Sequence, residues 1–219
     1  MLSASLLSAD FAHLERDISL LNQSPIDWFH LDIMDGLFVP NLSYGFPVIE
    51  AIAKYAQKPL DAHLMIVDPD RYLERFQNVG TKYLSVHYEA CTHLHRTLTH
   101  IRKLGMKPGI AINPHTPIET LSDILEETDF ILIMSVNPGF SAQKFISHTY
   151  NKVARLKEMI RQKGLNCLIE VDGGVNETNA KALTDFGADI LVAGNAIFNA
   201  SNPSAAIEAL IAHTVSRCH

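Results

Sequence analysis

The sequence contains few cysteines and no closely spaced pair of them. Cys91, Cys167 and Cys218 are odd in number, lie far apart and form no CxxC motif among the 219 residues. This spacing argues against a disulfide framework and is typical of proteins in a reducing compartment. We therefore predict ordinary buried or surface thiols and a cytoplasmic location.

Basic clusters and long apolar runs are also missing. Lysine and arginine total 18 against 24 acidic residues, a formal net charge of −6, and they form no basic run. A nucleic-acid partner is therefore not expected. No apolar stretch approaches the length of a membrane span and the N-terminus lacks a signal-peptide pattern, so no membrane partner is expected. The length and the 47% hydrophobic content suit one domain covering residues 1–219.

Short apolar runs alternate with amphipathic segments along the sequence. The predicted strands are 3–9, 28–34, 60–66, 83–88, 108–113, 130–136, 167–172 and 190–193. Capping residues followed by proline predict helix starts at Asp68, Thr116 and Asn202. Glycines predict helix ends at Gly80, Gly105, Gly164 and Gly187.

This alternation of strands and helices predicts a parallel sheet, because a helical crossover returns the chain to the same edge. Eight such units predict an α/β fold, the (β/α)₈ TIM barrel. A doubly wound open sheet is the alternative, but the sequence has neither a GxGxxG motif nor a Walker loop.

Three predicted strands carry polar side chains where a strand normally buries apolar ones. Alternation places His30, Asp32 and Met34 on one face, and His63 and Asp172 lie near the ends of two other strands. A single strand histidine is more often a hydrogen-bonded core residue than a ligand, but an unpaired buried carboxylate is costly. The repetition predicts a metal site at the barrel mouth, formed by His30, Asp32, His63 and Asp172.

Glycine-bearing turns follow the last three predicted strands, at Gly139, at Gly173 and Gly174, and at Gly194. Glycine lets the backbone approach a ligand closely, and the loops after the last strands of this fold often bind phosphate. Tight turns alone are the alternative for any one of them, but three in succession favour a phosphate site.

Other polar residues invite a functional interpretation that their positions do not support. Cys91, His93, His95 and His100 suggest a metal cluster, but residues two apart do not share a helical face, so we predict a solvent-exposed surface instead. Asp35 is predicted to take part in the turn that follows the second strand. His87 and Glu170 are interpreted as polar packing inside the barrel.

With these residues in place, the sequence resembles the ribulose-phosphate 3-epimerase family. The matching segments run through nearly the whole chain in the family's order: 3–10, 30–36, 38–41, 61–65, 134–140 and 170–174. The resemblance implies a barrel of the ribulose-phosphate binding type that interconverts D-ribulose 5-phosphate and D-xylulose 5-phosphate. It also implies one divalent metal per chain at the four positions above, most often zinc, although iron, manganese or cobalt suit such ligands.

The resemblance, together with the glycine turns, assigns the substrate contacts. They are Ser5, His63, Gly139, Phe140, Ser141, Ala142, Gly173, Gly174, Gly194 and Asn195. Three methionines, Met34, Met65 and Met134, are predicted to cap the intermediate and exclude water, with ordinary core filling as the alternative.

Two positions depart from the family pattern, both on the predicted phosphate side. The family usually has Gly-Gly-Gln or Ala-Gly-Gln where Ser141-Ala142-Gln143 stands, and Gly-Ser where Gly194-Asn195 stands. Phosphate binding by backbone N–H groups is compatible with Ser141 and Ala142, provided that neither residue adopts a positive φ angle.

Epimerising the carbon beside a ketone requires a proton to leave one face and another to arrive on the opposite face. Asp32 and Asp172 lie on strands three positions apart around an eight-stranded ring, which places them on different sides of the mouth. Each is predicted to act as base in one direction and as acid in the other. A divalent cation would stabilise the enediolate charge as a Lewis acid.

Three other functions stay open. A D-allulose-6-phosphate 3-epimerase shares these motifs. A phosphate-binding barrel lyase belongs to another class, but the predicted strand interiors offer no lysine for a Schiff base. A non-catalytic sugar-phosphate-binding protein would not need two opposed aspartates. A homo-oligomer is compatible with the resemblance, since barrels of this family often assemble.

Overall fold

The computed structural model describes residues 1–214, so that Cys218 lies outside the described residues. The strands in this range are β1 (Leu2–Ser5), β2 (Trp28–Met34), β3 (Leu60–Met65), β4 (Tyr83–His87), β5 (Lys107–Ile112), β6 (Phe130–Met134), β7 (Leu168–Asp172) and β8 (Ile190–Ala193). Each strand pairs in parallel with the next, and β8 pairs with β1 to close the barrel. The predicted (β/α)₈ fold is confirmed.

Helices follow most strands and cover the outside of the barrel. They are α1 (Leu14–Gln23), α2 (Phe46–Tyr55), α3 (Leu73–Asn78), α4 (Leu94–Lys103), α5 (Thr149–Gln162), α6 (Glu177–Phe186), α7 (Asn195–Phe198) and α8 (Pro203–Ala212). Asn202 caps α8 by accepting a hydrogen bond from the Ala205 N–H, and Gly187 ends α6 with a φ of 125°. Both boundaries agree with the sequence prediction.

The connection between β5 and β6 differs from the prediction. The proline signal at Thr116 predicted an α-helix, but the described residues there form two 3-10 segments, Ile118–Leu121 and Leu125–Glu127. Ile118 and Leu121 are both buried. Side chains three residues apart align in a 3-10 helix, so this conformation buries both apolar residues in one short turn.

The first strand is shorter than predicted. It ends at Ser5, where the prediction extended to residue 9, because a 3-10 turn begins at Leu6. The Ser5 hydroxyl accepts a hydrogen bond from the Leu7 N–H at 3.3 Å, which stabilises this turn. The strand therefore stops with the Ser5 side chain at the mouth of the barrel.

Aromatic side chains fill the amino-terminal end of the barrel. Trp28, Tyr83 and Phe130 open β2, β4 and β6, and the rings of Trp28 and Tyr83 stack with centroids 3.8 Å apart. Gly109 of β5 gives the Phe130 ring its space, since a Cβ there would lie 2.2 Å from a ring carbon. Such layers make the interior of this fold a packed core and leave the opposite end for function.

Candidate active site

Four side chains meet at the carboxyl end of the barrel. Alternation along β2 directs His30 and Asp32 inward, and strand register places His63 of β3 beside Asp32. The His63 Nδ1 lies 3.3 Å from Asp32 Oδ1 and 3.7 Å from an oxygen of Asp172, the last residue of β7. The His30 Nε2 lies 3.4 Å from the same Asp32 oxygen. One ligand atom from each residue lies within 4.8 Å of the others.

This cluster could hold one metal ion. The His30 Nε2 is buried, has no hydrogen-bond partner, and lies beside the Asp32 carboxylate. Burial opposes protonation of His30, but the Asp61 and Asp32 carboxylates outweigh it and raise the pKa of the imidazole well above its usual value. The site therefore favours positive charge. Two imidazoles and two carboxylates are a donor set that zinc and other divalent transition metals bind.

A second layer of hydrogen bonds holds three of these four residues, His30, Asp32 and His63. Asp61 Oδ2 lies 2.6 Å from His30 Nδ1, and the Ser5 hydroxyl donates to Asp32 Oδ2 at 2.6 Å. His87 of β4 contacts His63 on the side away from the cluster. Sequence analysis did not single out Asp61, although it lies two residues before His63 and therefore on the same strand face.

The two aspartates have opposite electrostatic environments. Burial would raise the pKa of Asp32, but the neighbouring His30 lowers it far below its usual value. Burial, followed by repulsion from the Asp32 carboxylate, raises the pKa of Asp172 to about 7. One carboxyl group is thus held ionised, whereas the other exchanges its proton near neutral pH.

Glu170 lies deeper in the barrel, two residues before Asp172. Its side chain is fully buried, and neither carboxyl oxygen has a hydrogen-bond partner. Burial and the nearby Asp61 carboxylate raise the pKa of Glu170 well above its usual value. A neutral acid can be buried at far lower cost than a carboxylate, which agrees with the predicted role in polar packing.

A cavity of about 220 Å³ opens above the cluster, with Asp32 and Asp172 in its wall. Most predicted substrate and cap residues line it: Ser5, Gly139, Phe140, Ser141, Ala142, Gly173, Gly174, Gly194, Asn195, Met34, Met65 and Met134. His63 is the exception, because its side chain is fully buried and does not line the cavity. The predicted contact of His63 with substrate therefore finds no support, whereas its place in the metal cluster does. The lining residues that sequence analysis missed include Ser8, Val136, Gln143 and Asn176.

The loops around the cavity place the backbone close to its interior. Gly173 has a φ of 117°, and a Cβ there would lie 2.5 Å from a Val136 methyl group. Ala142 adopts a φ of 59°. From the sequence, Ala142 was expected to be tolerated only if its φ angle was not positive, so this expectation is wrong. The left-handed conformation costs a residue with a Cβ roughly 1–2 kcal/mol.

The comparisons with known proteins agree with this geometry. The model of the ribulose-phosphate 3 epimerase family matches residues 1–198. The chain belongs to this family. The ribulose-phosphate 3-epimerase of Bacillus subtilis is 46% identical over 93% of this chain and 94% of its own length. The enzyme of that name from Synechocystis is 46% identical over 94% of this chain and 91% of its own length.

A solved structure of low sequence identity shares the fold. Orotidine 5'-phosphate decarboxylase from Pyrococcus horikoshii is 16% identical, with a TM-score of 0.70 over 98% of this chain and 99% of its own.

The structure also bears on membrane association. Among residues 1–214 of this ribulose-phosphate 3-epimerase family member, no helix is long and apolar enough to span a bilayer.

The polar residues set aside in the sequence lie outside the cluster. Asp35 accepts hydrogen bonds from the Leu37 and Phe38 N–H groups, as a turn residue does. His93 and His95 are exposed at the start of α4, whereas Cys91 and His100 are half-buried. The predictions are therefore confirmed for Asp35, His93 and His95 but not for Cys91 and His100.

Proposed function

We propose that this chain catalyses the reversible epimerisation of D-ribulose 5-phosphate to D-xylulose 5-phosphate at C3. One observation carries the proposal: Asp32 and Asp172 reach one cavity from β2 and β7, and their pKa values are displaced in opposite directions. A pair of carboxyl groups with different protonation states is what proton removal on one face and proton delivery on the other require.

Asp32 serves as the base in one direction, because its carboxylate stays ionised and the Ser5 hydroxyl orients it. Asp172 delivers the second proton, because it reaches the same cavity from β7, away from Asp32 on β2. In the reverse reaction the two residues exchange roles, as microscopic reversibility demands.

We propose that His30, Asp32, His63 and Asp172 hold one divalent ion and that this ion is zinc. Bound there, the metal supplies Lewis-acid stabilisation of the negative charge that develops on the substrate, worth several kcal/mol. His30 and His63 contribute neutral nitrogen ligands, and each is held from behind by a second residue. Asp32 and Asp172 balance the charge of the ion.

The remaining lining residues suit a sugar phosphate. Gly173, Gly174 and Gly194 let backbone N–H groups approach the phosphate, with Ser141 and Asn195 beside them. Met34, Met65 and Met134 lie in the same wall and would exclude water from the reacting carbon. The substrate would thus place its phosphate against the glycine loops and its C3 between the two aspartates.

We also propose one domain and a cytoplasmic location. The barrel uses strands from Leu2 to Ala193, so that no described part of it forms a separate sheet. Cys91 and Cys167 are free thiols, which suits a reducing compartment.

Incubation of the protein with ribulose 5-phosphate in deuterated water tests the reaction. We expect deuterium at C3 together with the appearance of xylulose 5-phosphate, because each turnover exchanges the C3 proton. Steady-state kinetics on ribulose 5-phosphate, allulose 6-phosphate and free ribulose then test the substrate. A higher kcat/KM for allulose 6-phosphate would assign the chain to the hexulose-phosphate epimerases. Loss of carbon dioxide or cleavage of the sugar would instead indicate a lyase.

A further inference from the structure

Behind the cluster, two further residues form a chain of hydrogen bonds with His63. The Nε2 of His63 lies 2.9 Å from the Nε2 of His87, and the Nδ1 of His87 lies 3.0 Å from Glu89 Oε2. Both imidazoles are fully buried, and the ring of Phe38 covers His87 with centroids 4.5 Å apart. Water therefore does not replace the contact between the two imidazoles.

The contacts of Glu89, at the outer end of this series of hydrogen bonds, determine which atom donates in each bond. Glu89 Oε1 accepts a hydrogen bond from the backbone N–H of Asn113 at 2.8 Å and another from the Thr116 hydroxyl. A backbone N–H can only donate, so this carboxyl oxygen must accept. The loop itself is anchored, because Lys152 Nζ donates to the Asn113 carbonyl at 2.9 Å. Burial would raise the pKa of Glu89, but the hydrogen bonds from His87, Thr116 and Asn113 lower it to about 2. Glu89 is therefore an ionised acceptor, and the proton between it and His87 lies on His87 Nδ1.

The donor and acceptor roles in the two imidazole rings follow from this assignment. With a proton on Nδ1, a neutral His87 presents a lone pair at Nε2, and the facing His63 Nε2 must then be the donor. The remaining nitrogen of His63, its Nδ1, is left without a proton. This atom lies 3.3 Å from Asp32 Oδ1 and 3.7 Å from Asp172 Oδ2. A lone pair facing two carboxylate oxygens is unfavourable unless a cation lies between them.

We propose that Glu89 and His87 are positioning residues that fix the tautomer of His63 and thereby make its Nδ1 a metal ligand. The inference rests on the metal site of the proposed function but not on the identity of the substrate. Reversed polarity would put the proton of His63 on Nδ1, where it would donate to Asp32 and block the ligand position. We call the hydrogen-bonded series Glu89–His87–His63 the relay. Its direction decides whether Nδ1 of His63 is free to bind a metal or carries a proton that is donated to Asp32.

Glu89→Gln is the variant that reverses the relay. The Asn113 N–H retains the amide oxygen at the position of Oε1, so the amide NH₂ faces His87. His87 must then accept at Nδ1 and donate from Nε2, which transfers the proton of His63 to Nδ1. The side-chain volume hardly changes. Glu208→Gln, an identical exchange at an exposed position of α8, is the matched control.

Two measurements test the relay. Long-range ¹⁵N–¹H NMR on metal-free protein should show His63 protonated at Nε2 in the wild type and in Glu208→Gln, and at Nδ1 in Glu89→Gln. Titration with zinc against a competing chelator should show affinity about 10- to 100-fold weaker in Glu89→Gln alone. An Nδ1 proton on His63 in the wild type, or an unchanged zinc affinity in a folded Glu89→Gln protein, would overturn the proposal. The NMR result does not depend on turnover, so an inactive wild type would refute the proposed reaction without deciding the relay.

Discussion

Asp32 and Asp172 show how two residues of one type acquire different chemistry from their neighbours. Asp32 lies beside the His30 imidazole and accepts a hydrogen bond from Ser5, so its ionised form is stabilised. Asp172 has a half-buried carboxyl group and faces the charge of Asp32, which favours its protonated form. The difference depends on burial and on contacts between strands, and residue type alone does not reveal it.

Replacing either aspartate should abolish most epimerisation. We expect Asp32→Asn and Asp172→Asn each to lower kcat by about 10²- to 10⁴-fold, because an amide cannot accept the proton and binds metal poorly. Progress curves with ribulose 5-phosphate measure the loss, and Asp185→Asn on the exposed surface of α6 is the control. A folded variant that keeps more than about a tenth of wild-type activity would remove that residue from the mechanism.

Ala142 carries conformational strain that glycine would relieve. Its φ of 59° is costly with a Cβ, so Ala142→Gly should raise the free energy of unfolding by about 0.5–1 kcal/mol, after the greater unfolded-state entropy of glycine is subtracted. Chemical denaturation measures the change. Ala205→Gly in α8, where the backbone is helical, should instead lower stability by a similar amount. Equal destabilisation by both variants would contradict the strain.

At the scale of elements, strand alternation was the most reliable signal in the sequence. The bounds of β2 and β8 agree with the prediction to the residue, since each strand is flanked on both sides by aspartate or glycine. The connection from β5 to β6 was less predictable, because its apolar residues fit both an α-helix and the 3-10 turns that form. Propensity does not decide between them, whereas packing against the barrel does.

Gly109 is a residue of β5 whose lack of a side chain shapes the core. Gly109→Ala should lower the free energy of unfolding by about 1–3 kcal/mol, because the new methyl group would overlap the Phe130 ring. Phe130→Leu in the same chain should recover part of that loss, so that the double variant costs less than the sum of the two single ones. Denaturant unfolding of all four proteins measures this coupling. Strict additivity would show that the ring moves aside freely.

At the scale of the whole molecule, barrel closure brings together ligands that lie far apart in the sequence. His30 and Asp172 are separated by most of the chain, and their meeting depends on β8 pairing with β1. The sequence identified these residues by strand position and family resemblance. It could not identify the relay behind His63, because the contact of His87 with His63 depends on ring orientations set by the Asn113 loop and by Phe38.

Zinc should therefore stabilise the folded chain, and more strongly at higher pH. Only the closed barrel assembles the four ligands, so zinc at 100 times its dissociation constant should add about 2.7 kcal/mol to the free energy of unfolding. Folding raises the pKa of Asp172 to about 7, so below that pH the metal-free barrel keeps a proton that zinc must displace. The zinc-induced rise in Tm should consequently be larger at pH 7.5 than at pH 5.5. Asp172→Asn, which has no carboxyl proton to lose, should show a smaller rise with a weaker dependence on pH, because zinc then displaces a proton from His30 only. An equal rise in Tm at both pH values in the wild type would show that Asp172 does not take part in metal binding.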